Sequence, residues 1–442
     1  MNVENSAAAI LNRVQEKGAE GDLIVDEGQA LSLKARDGEL EEHKVSSNQI
    51  YGLRVIKDEH VGTAYSEAAD EQALNSMVDQ ALINATFAKV EADEKILTTT
   101  GSLVTDDALL CPSDEVSIEN KIQFVLDMEG DLAAKDKVQN VPHNSVSDSI
   151  VQRRVFTSSG LDASLKQRMC VAGAYALMVD GDKNVMDGSG RAARQFDQLN
   201  YTDIVDEAYE RCVGLLHGEP VPTKHYDLIF DEEFQVEVFS TFASMFSGKT
   251  AKDGVNPMRD KLGDIISDPR LSISDQPLLT DGFGYALFDS EGTATRATPL
   301  ITNGRLETLI HNSATAAHFG VSTTGHGIRG PKSTLGVSLH QLHIDKGSDS
   351  PATLFSGEYL LITDLSGLHS GANPISGQFS FGAAGYLCRD GERIQPVRNI
   401  TVAGNFYDML KKVSAIGDEL FWNLERSAFM PHIRFADVAV SG

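Results

Sequence analysis

Polar and apolar residues alternate along two long regions of the chain, and turn-forming residues divide these regions into short segments. The first region spans residues 22–65 and the second spans residues 145–190. Such alternation is typical of strands that bury one face, because successive side chains of a strand point to opposite sides. Turns at residues 27–28, 37–38 and 57–59 would connect neighbouring strands of the first region. The pattern therefore predicts an antiparallel sheet in the first half of the chain.

Apolar residues at helical spacing predict helices beside this sheet. The predicted helices cover residues 5–17, 70–91, 116–134 and 201–216. The polar residues 95–114 are predicted to form a loop. We therefore expect the first half of the chain to be a layered α/β structure built on an antiparallel sheet.

A stretch that contains Pro and Gly, at residues 217–222, predicts a domain boundary. It separates an N-terminal α/β domain, residues 1–219, from a C-terminal β-rich domain, residues 220–442. The predicted fold class is α+β, with a barrel- or sandwich-like C-terminal half.

The pattern in the second domain mixes strands with a few helices. A predicted strand at 226–230 leads into a helix near 232–246, and another helix is predicted near 406–414. Asn-Gly at residues 303–304 and Asp-Gly at residues 390–391 each separate two strand-like segments. These dipeptides favour hairpins, because both central residues of the turn need a positive φ.

Acidic residues outnumber basic residues by 64 to 38, which gives the 442-residue chain a formal net charge of −26. A surface this negative repels phosphate groups, so direct contact with nucleic acid or with anionic membranes is not expected. No run of 18 apolar residues is present, which argues against a membrane-spanning helix. The four cysteines form no CxxC pair and suit a reducing compartment. We therefore expect a cytoplasmic protein.

Histidine spacing gives only weak signals for a metal site. The zinc-binding pattern HExxH is absent, and so is HExxxH. His340 and His343 lie three apart in a predicted strand, which directs them to opposite faces. His311 and His318 lie seven apart in a helix predicted near 312–319, which places both on one side without a third ligand nearby. Ordinary core or surface roles are the better interpretation, so these residues predict no metal ligand.

Two loops rich in glycine are the best candidates for a binding site. Residues 325–330 read GHGIRG, and their His326 and Arg329 could hold an anion or a peptide carboxylate. Residues 364–382 place glycines, serines, a histidine, an asparagine and a proline ahead of an alternating strand. Ordering such a loop costs conformational entropy, which is typical of segments that shape a site, although each loop could also be a structural turn. The candidates in the second loop are Leu368, His369, Ser370, Gly371, Asn373, Pro374, Ser376 and Gly377.

Short motifs occur in a distinctive order along nearly the whole chain. They occupy residues 52–56, 61–64, 289–292, 323–326, 367–387, 390–392, 396–398 and 401–405. The longest reads GLHSGANPISGQFSFGAAGYL. In their order and density these motifs resemble the TldD/PmbA family, once called modulators of DNA gyrase, and the form is that of the PmbA (TldE) branch.

The resemblance implies a cytoplasmic zinc-metallopeptidase system that processes or degrades unfolded peptides, including microcin precursors and antitoxins. The active branch of the family carries HExxxH on the helix after the first C-terminal strand, and a cysteine near the chain end. Here residues 231–239 read DEEFQVEVF and residues 423–431 read NLERSAFMP, so both sources of ligands are replaced. Glu233 and Glu237 lie four apart on one helical face, which leaves an oxygen-ligand site as a geometric alternative.

This departure from the active branch favours a chain with no catalytic residue and no zinc of its own. Such a chain would complete a peptide-binding chamber with a TldD-type subunit, which carries the zinc. The residues that would contact an unfolded peptide are His326, Arg329 and the eight candidates in the second loop. An isolated chain could form a homodimer through the surface that the partner covers.

Two alternatives stay open. The first is a metallopeptidase active by itself, with a ligand set drawn from His326, His340, His343 or His369. The second is a non-enzymatic regulator that binds another protein, for instance gyrase. The acidic composition argues against contact with DNA but not against contact with a protein.

Overall fold

The computed structural model describes residues 2–99 and 101–442, and the first half of the chain forms one large sheet flanked by helices. The strands of this half are β1 (Glu20–Arg36), β2 (Glu39–Lys57), β3 (His60–Ser66), β4 (Gly101–Val104), β5 (Val138–Thr157), β6 (Leu161–Asp180) and β7 (Lys183–Ala193). The helices are α1 (Val3–Glu16), α2 (Glu71–Phe87), α3 (Asp107–Leu110), α4 (Ile118–Ala133) and α5 (Tyr201–Leu216), with a 3₁₀ turn at Phe196–Gln198.

The sheet has the strand order β3-β2-β1-β5-β6, and both β7 and the short β4 pair with β6. All of these pairs are antiparallel except β4–β6, which is parallel. The predicted antiparallel sheet is therefore confirmed. Positive φ angles at Asp37 (54°) and Gly38 (77°), and at Asp58 (50°) and Glu59 (63°), confirm two of the predicted turns.

The turn predicted at residues 27–28 is wrong, because β1 continues through it. Glu27 pairs with Gln49 of β2, and Gly28 pairs with Asn48. The same two residues also pair with β5 on the other side. Ladders on both sides keep β1 extended, and glycine fits because a Cβ at residue 28 would lie 2.3 Å from Asn48 Oδ1.

The loop predicted over residues 95–114 is wrong in part, because the segment contains β4 and α3. The four residues of β4 pair with Leu161–Ser164 of β6. A polar segment can form a strand here because the free edge of β6 supplies its backbone hydrogen bonds.

Helices cover the sheet in two groups, as a layered α/β structure requires. Helices α1 and α2 pack on β1 to β3 through fully buried residues such as Val14 and Val78. Helices α4 and α5 pack on β5 to β7 through Val125 and Ala208. Helix α5 also reaches the second half of the chain, where a Cβ at Gly214 would lie 1.9 Å from the Tyr386 hydroxyl oxygen. The bounds of α5 match the predicted helix.

The second half of the chain contains fourteen strands and six helices within the described residues. The strands are β8 (Lys224–Phe230), β9 (Ile273–Asp275), β10 (Thr298–Thr302), β11 (Arg305–Leu306), β12 (Gly327–Ile328), β13 (Gly336–Val337), β14 (Leu342–Ile344), β15 (Glu358–Ser366), β16 (Gln378–Arg389), β17 (Glu392–Asn405), β18 (Val413–Ile416), β19 (Phe421–Trp422), β20 (Ala428–Met430) and β21 (Ile433–Ser441). The helices are α6 (Glu232–Thr241), α7 (Gly248–Lys252), α8 (Ser313–Phe319), α9 (Pro351–Leu354), α10 (Leu368–Gly371) and α11 (Phe406–Met409), with a 3₁₀ turn at Ala243–Phe246. The division into two domains at residue 219 stays a prediction.

Five strands close into a barrel in the order β17-β16-β15-β8-β21, and β21 pairs again with β17. The pair β8–β15 is parallel, the other pairs are antiparallel, and β18 extends from β21. This barrel confirms the predicted α+β fold class and its β-rich second half. Asp390 (φ 51°) and Gly391 (φ 87°) form the predicted hairpin turn between β16 and β17.

A second sheet, β11-β10-β9-β14-β20-β19, packs beside the barrel. Asn303 (φ 48°) and Gly304 (φ 79°) form its predicted hairpin. Two predicted helices are shorter than expected: α6 ends at Thr241 before the 3₁₀ turn, and α11 ends at Met409. Within residues 2–99 and 101–442, no helix combines the length and apolar character needed to cross a membrane.

Aromatic side chains join α6 to the barrel core. Phe242, just after the helix, stacks on Phe406 with ring centroids 4.4 Å apart, and Phe239 meets the same ring edge-on at 5.4 Å. All three rings are buried. Full burial of one such side chain stabilises the fold by about 1.5–3 kcal/mol. Apolar packing therefore fixes α6 and leaves its opposite face for polar residues.

Candidate functional site

Helix α6 and the loop after β15 leave the barrel at the same end. This follows from the parallel pairing of β8 with β15, in which Phe230 lies opposite Ile362. Asp231 caps α6, since its side chain accepts a hydrogen bond from Phe234 N–H at 2.9 Å. The N–H of Asp231 also donates to the Ile362 carbonyl oxygen at 2.9 Å. These contacts fix the start of α6 beside the end of β15.

Five side chains at this end of the barrel form what we call the acidic site. They are Glu233 and Glu237 on α6, Asp364 on β15, His369 in α10, and Glu425 between β19 and β20. Partial loss of solvent, with the charges of Asp364 and Glu425, raises the pKa of Glu237, whereas His369 lowers it. Helix α10 contacts α6 directly. Three segments that are distant in the sequence therefore meet at one site.

Burial and neighbouring negative charge raise the pKa values of two acids at the start of α6. Burial raises the pKa of Glu233 to about 7; a hydrogen bond from Leu424 N–H opposes this rise, and Asp231, Glu232 and Glu425 add to it. Burial also raises the pKa of Asp231 to about 6. The site therefore holds protons closer to neutral pH than isolated carboxylates do.

The segment near the chain end is tied to α6 on two sides. On the polar side, Leu424 N–H donates a hydrogen bond to Glu233 Oε1. On the buried side, Gln235 Nε2 donates to the Pro431 carbonyl oxygen at 2.8 Å, and Gln235 Oε1 accepts from Ile433 N–H at 3.1 Å. The chain end and the helix therefore form one packed unit.

The eight candidates in the loop at residues 368–377 fall in two parts, of which the first, α10, contacts α6, and the second packs against Asn405 and Tyr407. Four of them have exposed side chains, which are those of His369, Ser370, Asn373 and Ser376. Leu368 packs against the barrel core, Gly377 is buried, and Gly371 and Pro374 are half-buried. His369 in α10 brings this loop to the acidic site, and the contact of the eight residues with a peptide stays a prediction.

Local hydrogen bonds hold this loop in one shape. Asn373 N–H donates to the Gln378 carbonyl oxygen at 2.8 Å, and Gly377 N–H donates to the Asn373 carbonyl oxygen at 2.8 Å. The Tyr407 hydroxyl donates to the Pro374 carbonyl oxygen. Gly377 has a φ of 80°, and a Cβ there would lie 2.5 Å from the Tyr407 ring. The loop is therefore pre-formed rather than ordered by a ligand.

The other two candidates, His326 and Arg329, are buried and do not lie in this loop. His326 Nε2 lies 2.9 Å from Asp275 Oδ2. Arg329 donates to Asp22 Oδ1 and to the Gly52 carbonyl oxygen of the N-terminal sheet. A peptide would reach either side chain only by displacing these partners.

Arg329 belongs to a buried ion cluster at the junction of the two halves, which the sequence did not reveal. Arg54 Nε donates to Asp22 Oδ2 at 2.8 Å, and Arg54 Nη1 donates to Glu94 Oε2 at 2.7 Å. Glu291 Oε1 lies 4.0 Å from Arg54 Nη2. The sequence analysis placed Arg54, Glu291 and Arg329 in motifs or loops. It could not predict their ion pairs, because these join segments that lie far apart in the sequence.

The shared helical face predicted for His311 and His318 is wrong, because α8 begins only at Ser313. His311 is buried, with Nδ1 3.1 Å from the Thr315 hydroxyl oxygen. His318 is exposed, with Nδ1 3.0 Å from Asp93 Oδ2.

His340 and His343 have different surroundings, although the strand predicted around them is limited to Leu342–Ile344. His340 Nδ1 lies 2.9 Å from Asp275 Oδ2. The His343 ring lies against Phe429, with centroids 5.8 Å apart.

The acidic site does not fit the zinc ion that the family resemblance implies for the active branch. Zinc in proteins favours imidazole and thiolate ligands, whereas this site offers carboxyl groups and one exposed imidazole. One oxygen of Glu233 is already bound to Leu424 N–H. Among the described residues, one group of three potential metal ligands lies close together. It consists of Asp275, His326 and His340, whose ligand atoms lie within 4.8 Å of one another. None of these three belongs to the acidic site.

Family models and a related protein match this sequence along nearly its whole length. Family models of the PmbA/TldA metallopeptidase match domain 1 to residues 21–85, the central domain to residues 111–216 and the C-terminal domain to residues 223–442. The metalloprotease PmbA homolog of Haemophilus influenzae is 26% identical over 421 residues, which is 91% of this chain and 88% of that protein.

Two crystal structures have the same fold. A Thermotoga maritima protein described as a modulator of a DNA gyrase has a TM-score of 0.88, with 24% identity and 100% of both chains covered. TldE from Thermococcus kodakarensis has a TM-score of 0.86, with 22% identity and coverage of 99% of this chain and 100% of that chain.

Proposed function

Because this chain belongs to the PmbA/TldD metallopeptidase family, we propose that it is the subunit without catalytic zinc in a two-component peptidase for unfolded peptides. In this proposal a TldD-type partner carries the zinc and cleaves the peptide bond. The acidic site and the loop at residues 368–377 of this chain line the path of the peptide.

The observation that carries the proposal is the hydrogen bond from Leu424 N–H to Glu233 Oε1. In the active branch, as the resemblance implies, the corresponding helix and chain-end segment supply the zinc ligands. Here the two segments still meet, but their contact is a hydrogen bond between a backbone amide and a carboxyl group. A site that keeps its position and lacks imidazole and thiolate donors on these segments supports a role in binding rather than in metal catalysis.

The groups around the site suit an extended peptide. An unfolded peptide presents unpaired N–H and C=O groups, and a carboxyl group with a pKa near 7, such as Glu233, both donates and accepts hydrogen bonds at neutral pH. The exposed side chains of His369 and Ser376 add polar partners, and exposed Ile375 adds an apolar contact. A pre-formed loop binds with a smaller loss of conformational entropy.

The biological setting follows from the same family. We assign the reaction to the cytoplasm and its substrates to unfolded peptides, including microcin precursors and antitoxins. The name TldE of the Thermococcus kodakarensis neighbour supports a pairing with a TldD-type chain. When the partner is absent, two copies of this chain would associate through the surface that it covers.

The test is cleavage of unfolded casein by this chain, by the TldD-type subunit of the same organism and by their equimolar mixture. We expect the mixture to assemble, to cleave fastest and to be inhibited by a zinc chelator. We expect this chain alone to cleave nothing.

Cleavage by this chain alone that a chelator abolishes would replace the proposal with a self-sufficient metallopeptidase. A mixture that neither assembles nor cleaves faster than the partner alone would refute the proposal and leave a non-enzymatic regulator as the better hypothesis.

A further inference from the structure

Asp275, His326 and His340 converge from three separate segments of the second half of the chain. Asp275 ends β9, His326 directly precedes β12, and His340 lies shortly before β14. Asp275 Oδ2 lies 2.9 Å from His326 Nε2 and 2.9 Å from His340 Nδ1. One carboxylate oxygen and two imidazole nitrogens therefore point at one small volume. We call these three residues the Asp-His-His triad.

The neighbours of the triad hold the carboxylate in a fixed orientation. Asp275 Oδ1 accepts hydrogen bonds from the backbone N–H groups of His340 and Gln341, each at 2.8 Å. This oxygen is therefore saturated by the backbone, and Oδ2 is the atom left for the two imidazoles. Partners of this kind orient the ligands in metal sites of proteins.

A similar contact fixes the His326 ring. His326 Nδ1 lies 3.0 Å from the Thr324 carbonyl oxygen and 2.8 Å from the Thr324 hydroxyl oxygen. The Thr324 hydroxyl donates its proton to the His311 carbonyl oxygen at 3.1 Å, so both Thr324 atoms act as acceptors toward the ring. Nδ1 is then the protonated nitrogen, and a neutral ring directs the lone pair of Nε2 at Asp275 Oδ2. A lone pair facing a carboxylate oxygen is repulsive unless a proton on Nε2 or a metal ion lies between the two atoms.

Burial makes this arrangement costly without a cation. Asp275 and His326 are 0% and 1% exposed, while His340 is partly accessible, with 14% of its side chain exposed. A buried carboxylate needs compensating positive charge, which a metal ion held with the two imidazoles would supply. The exposed part of His340 connects the triad to solvent, from which a metal ion would enter and a water molecule would complete its coordination.

From this geometry we propose that Asp275, His326 and His340 bind one divalent transition-metal ion, with Zn²⁺ as the best fit. Two imidazole nitrogens and one carboxylate oxygen are common zinc ligands. In a tetrahedral site with bonds of about 2.0 Å, neighbouring ligand atoms lie about 3.3 Å apart. The observed separations of 2.9 Å need to widen only slightly to admit the ion.

The ion would have a structural role, separate from the acidic site. It would fasten the segment that carries His326 to the second sheet. Three residues later, Arg329 of the same segment bonds Asp22 of the N-terminal sheet. The metal would therefore stabilise the junction between the two halves, which goes beyond the proposed peptidase function and departs from the expectation of a chain without any metal.

The test uses the full-length chain, stripped with a chelator and then titrated with Zn²⁺ alone by calorimetry and equilibrium dialysis. We expect one bound equivalent and a higher thermal midpoint with zinc, because a ligand that binds only the folded state stabilises it. Co²⁺ in place of zinc should give the visible absorption bands of a tetrahedral site with nitrogen and oxygen ligands.

Three variants separate this site from other binding. His340→Ala should lose the bound equivalent, whereas the matched control His343→Ala, which alters the neighbouring histidine on Phe429, should keep it. The double variant Glu233→Gln/Glu237→Gln should also keep it, because the acidic site lies outside the triad. These experiments measure metal binding and not casein cleavage. Failure of the peptidase proposal would therefore leave the test of the metal site unaffected.

The proposal is overturned if the stripped wild-type chain binds no equivalent of Zn²⁺, or if His340→Ala binds as much as wild type. If His340→Ala does not fold, as judged by circular dichroism, the proposal is tested instead on the wild-type Co²⁺ complex. X-ray absorption that detects two imidazole ligands would then support the site, and a spectrum without them would overturn it.

Discussion

The backbone N–H of Leu424 donates a hydrogen bond to Oε1 of Glu233, across 191 residues of sequence. This bond joins α6 to the chain end at the place where the family resemblance leads one to look for zinc. A carboxyl oxygen accepts such a bond in both its ionised and its protonated form. The contact between the two segments therefore needs no metal and forms whether Glu233 is ionised or protonated.

The raised pKa of Glu233 should make the stability of the protein fall as pH rises. Burial moves this pKa from 4.5 to about 7, so the folded chain holds the proton more tightly than the unfolded chain. Between these two values the folded state binds more protons, and the free energy of unfolding decreases with increasing pH. Glu233→Gln removes this dependence while keeping an acceptor for Leu424 N–H. We expect the variant to gain on the order of 1–3 kcal/mol over wild type on going from pH 5 to pH 8.

Urea unfolding at pH 5 and pH 8 measures this difference. Glu39→Gln, at an exposed glutamate that begins β2, serves as the matched control. An equal change in both variants would show that Glu233 titrates as an ordinary surface carboxyl.

His369→Ala should impair the assembled peptidase without disturbing assembly. His369 is exposed in α10, and its charge acts on Glu237 across the acidic site. Loss of one hydrogen bond to a bound peptide should lower kcat/KM for casein about 3- to 10-fold. The control is His225→Ala, at an exposed histidine on β8 whose Nδ1 lies 2.6 Å from Asp437 Oδ1. Unchanged cleavage in His369→Ala would remove this residue from the peptide path.

Gly377→Ala should distort the loop at residues 368–377. Its φ of 80° is unfavourable for alanine, and the new Cβ would lie 2.5 Å from the Tyr407 ring. We expect a loss of about 2–4 kcal/mol in the free energy of unfolding, from backbone strain and overpacking together. Gly18→Ala has a similar φ of 69° with open space around the new Cβ, so it should lose only about 1–2 kcal/mol. Equal losses in urea unfolding would mean that the contact with Tyr407 does not constrain the loop.

Local chemistry made several elements predictable from the sequence. Asn303-Gly304 and Asp390-Gly391 form hairpins because these residues accept a positive φ. Helix α5 has the predicted bounds, since its apolar stripe and capping Asn200 act within one segment. The loop at residues 368–377 could be singled out by composition alone.

Contacts between residues far apart in the sequence could not be predicted from the sequence pattern. Asp275 lies 51 residues before His326 and 65 residues before His340, so no local spacing of residues predicts the triad. The turn expected at residues 27–28 failed for the same reason, because pairing with strands on both sides decides the conformation of Gly28. His311 and His318 were separated by a helix start that spacing alone does not locate.

Arg54→Met should destabilise the junction between the two halves of the chain. Arg54 is 2% exposed and bonds both Asp22 and Glu94. Methionine keeps much of the volume but removes the charge, and an uncompensated buried carboxylate costs about 3–5 kcal/mol. Asp22 retains Arg329 as a partner, so the loss should come from Glu94 and from Glu291, which both face Arg54. Arg13→Met, which breaks a partly exposed pair with Asp79, is the control and should cost less than about 1 kcal/mol.

A second variant measures how much of this loss comes from Glu94. Burial already raises the pKa of Glu94, and the charge of Arg54 opposes that rise. Without Arg54 the folded pKa should rise further above the unfolded value, so the stability of Arg54→Met should fall more steeply than wild type as pH increases. Adding Glu94→Gln should restore more of the lost stability at pH 8 than at pH 5, because Glu94 of the single variant is ionised to a greater extent at the higher pH. If urea unfolding shows the same loss at both pH values and no recovery in the double variant, the loss comes from packing at Arg54 rather than from an unpaired charge.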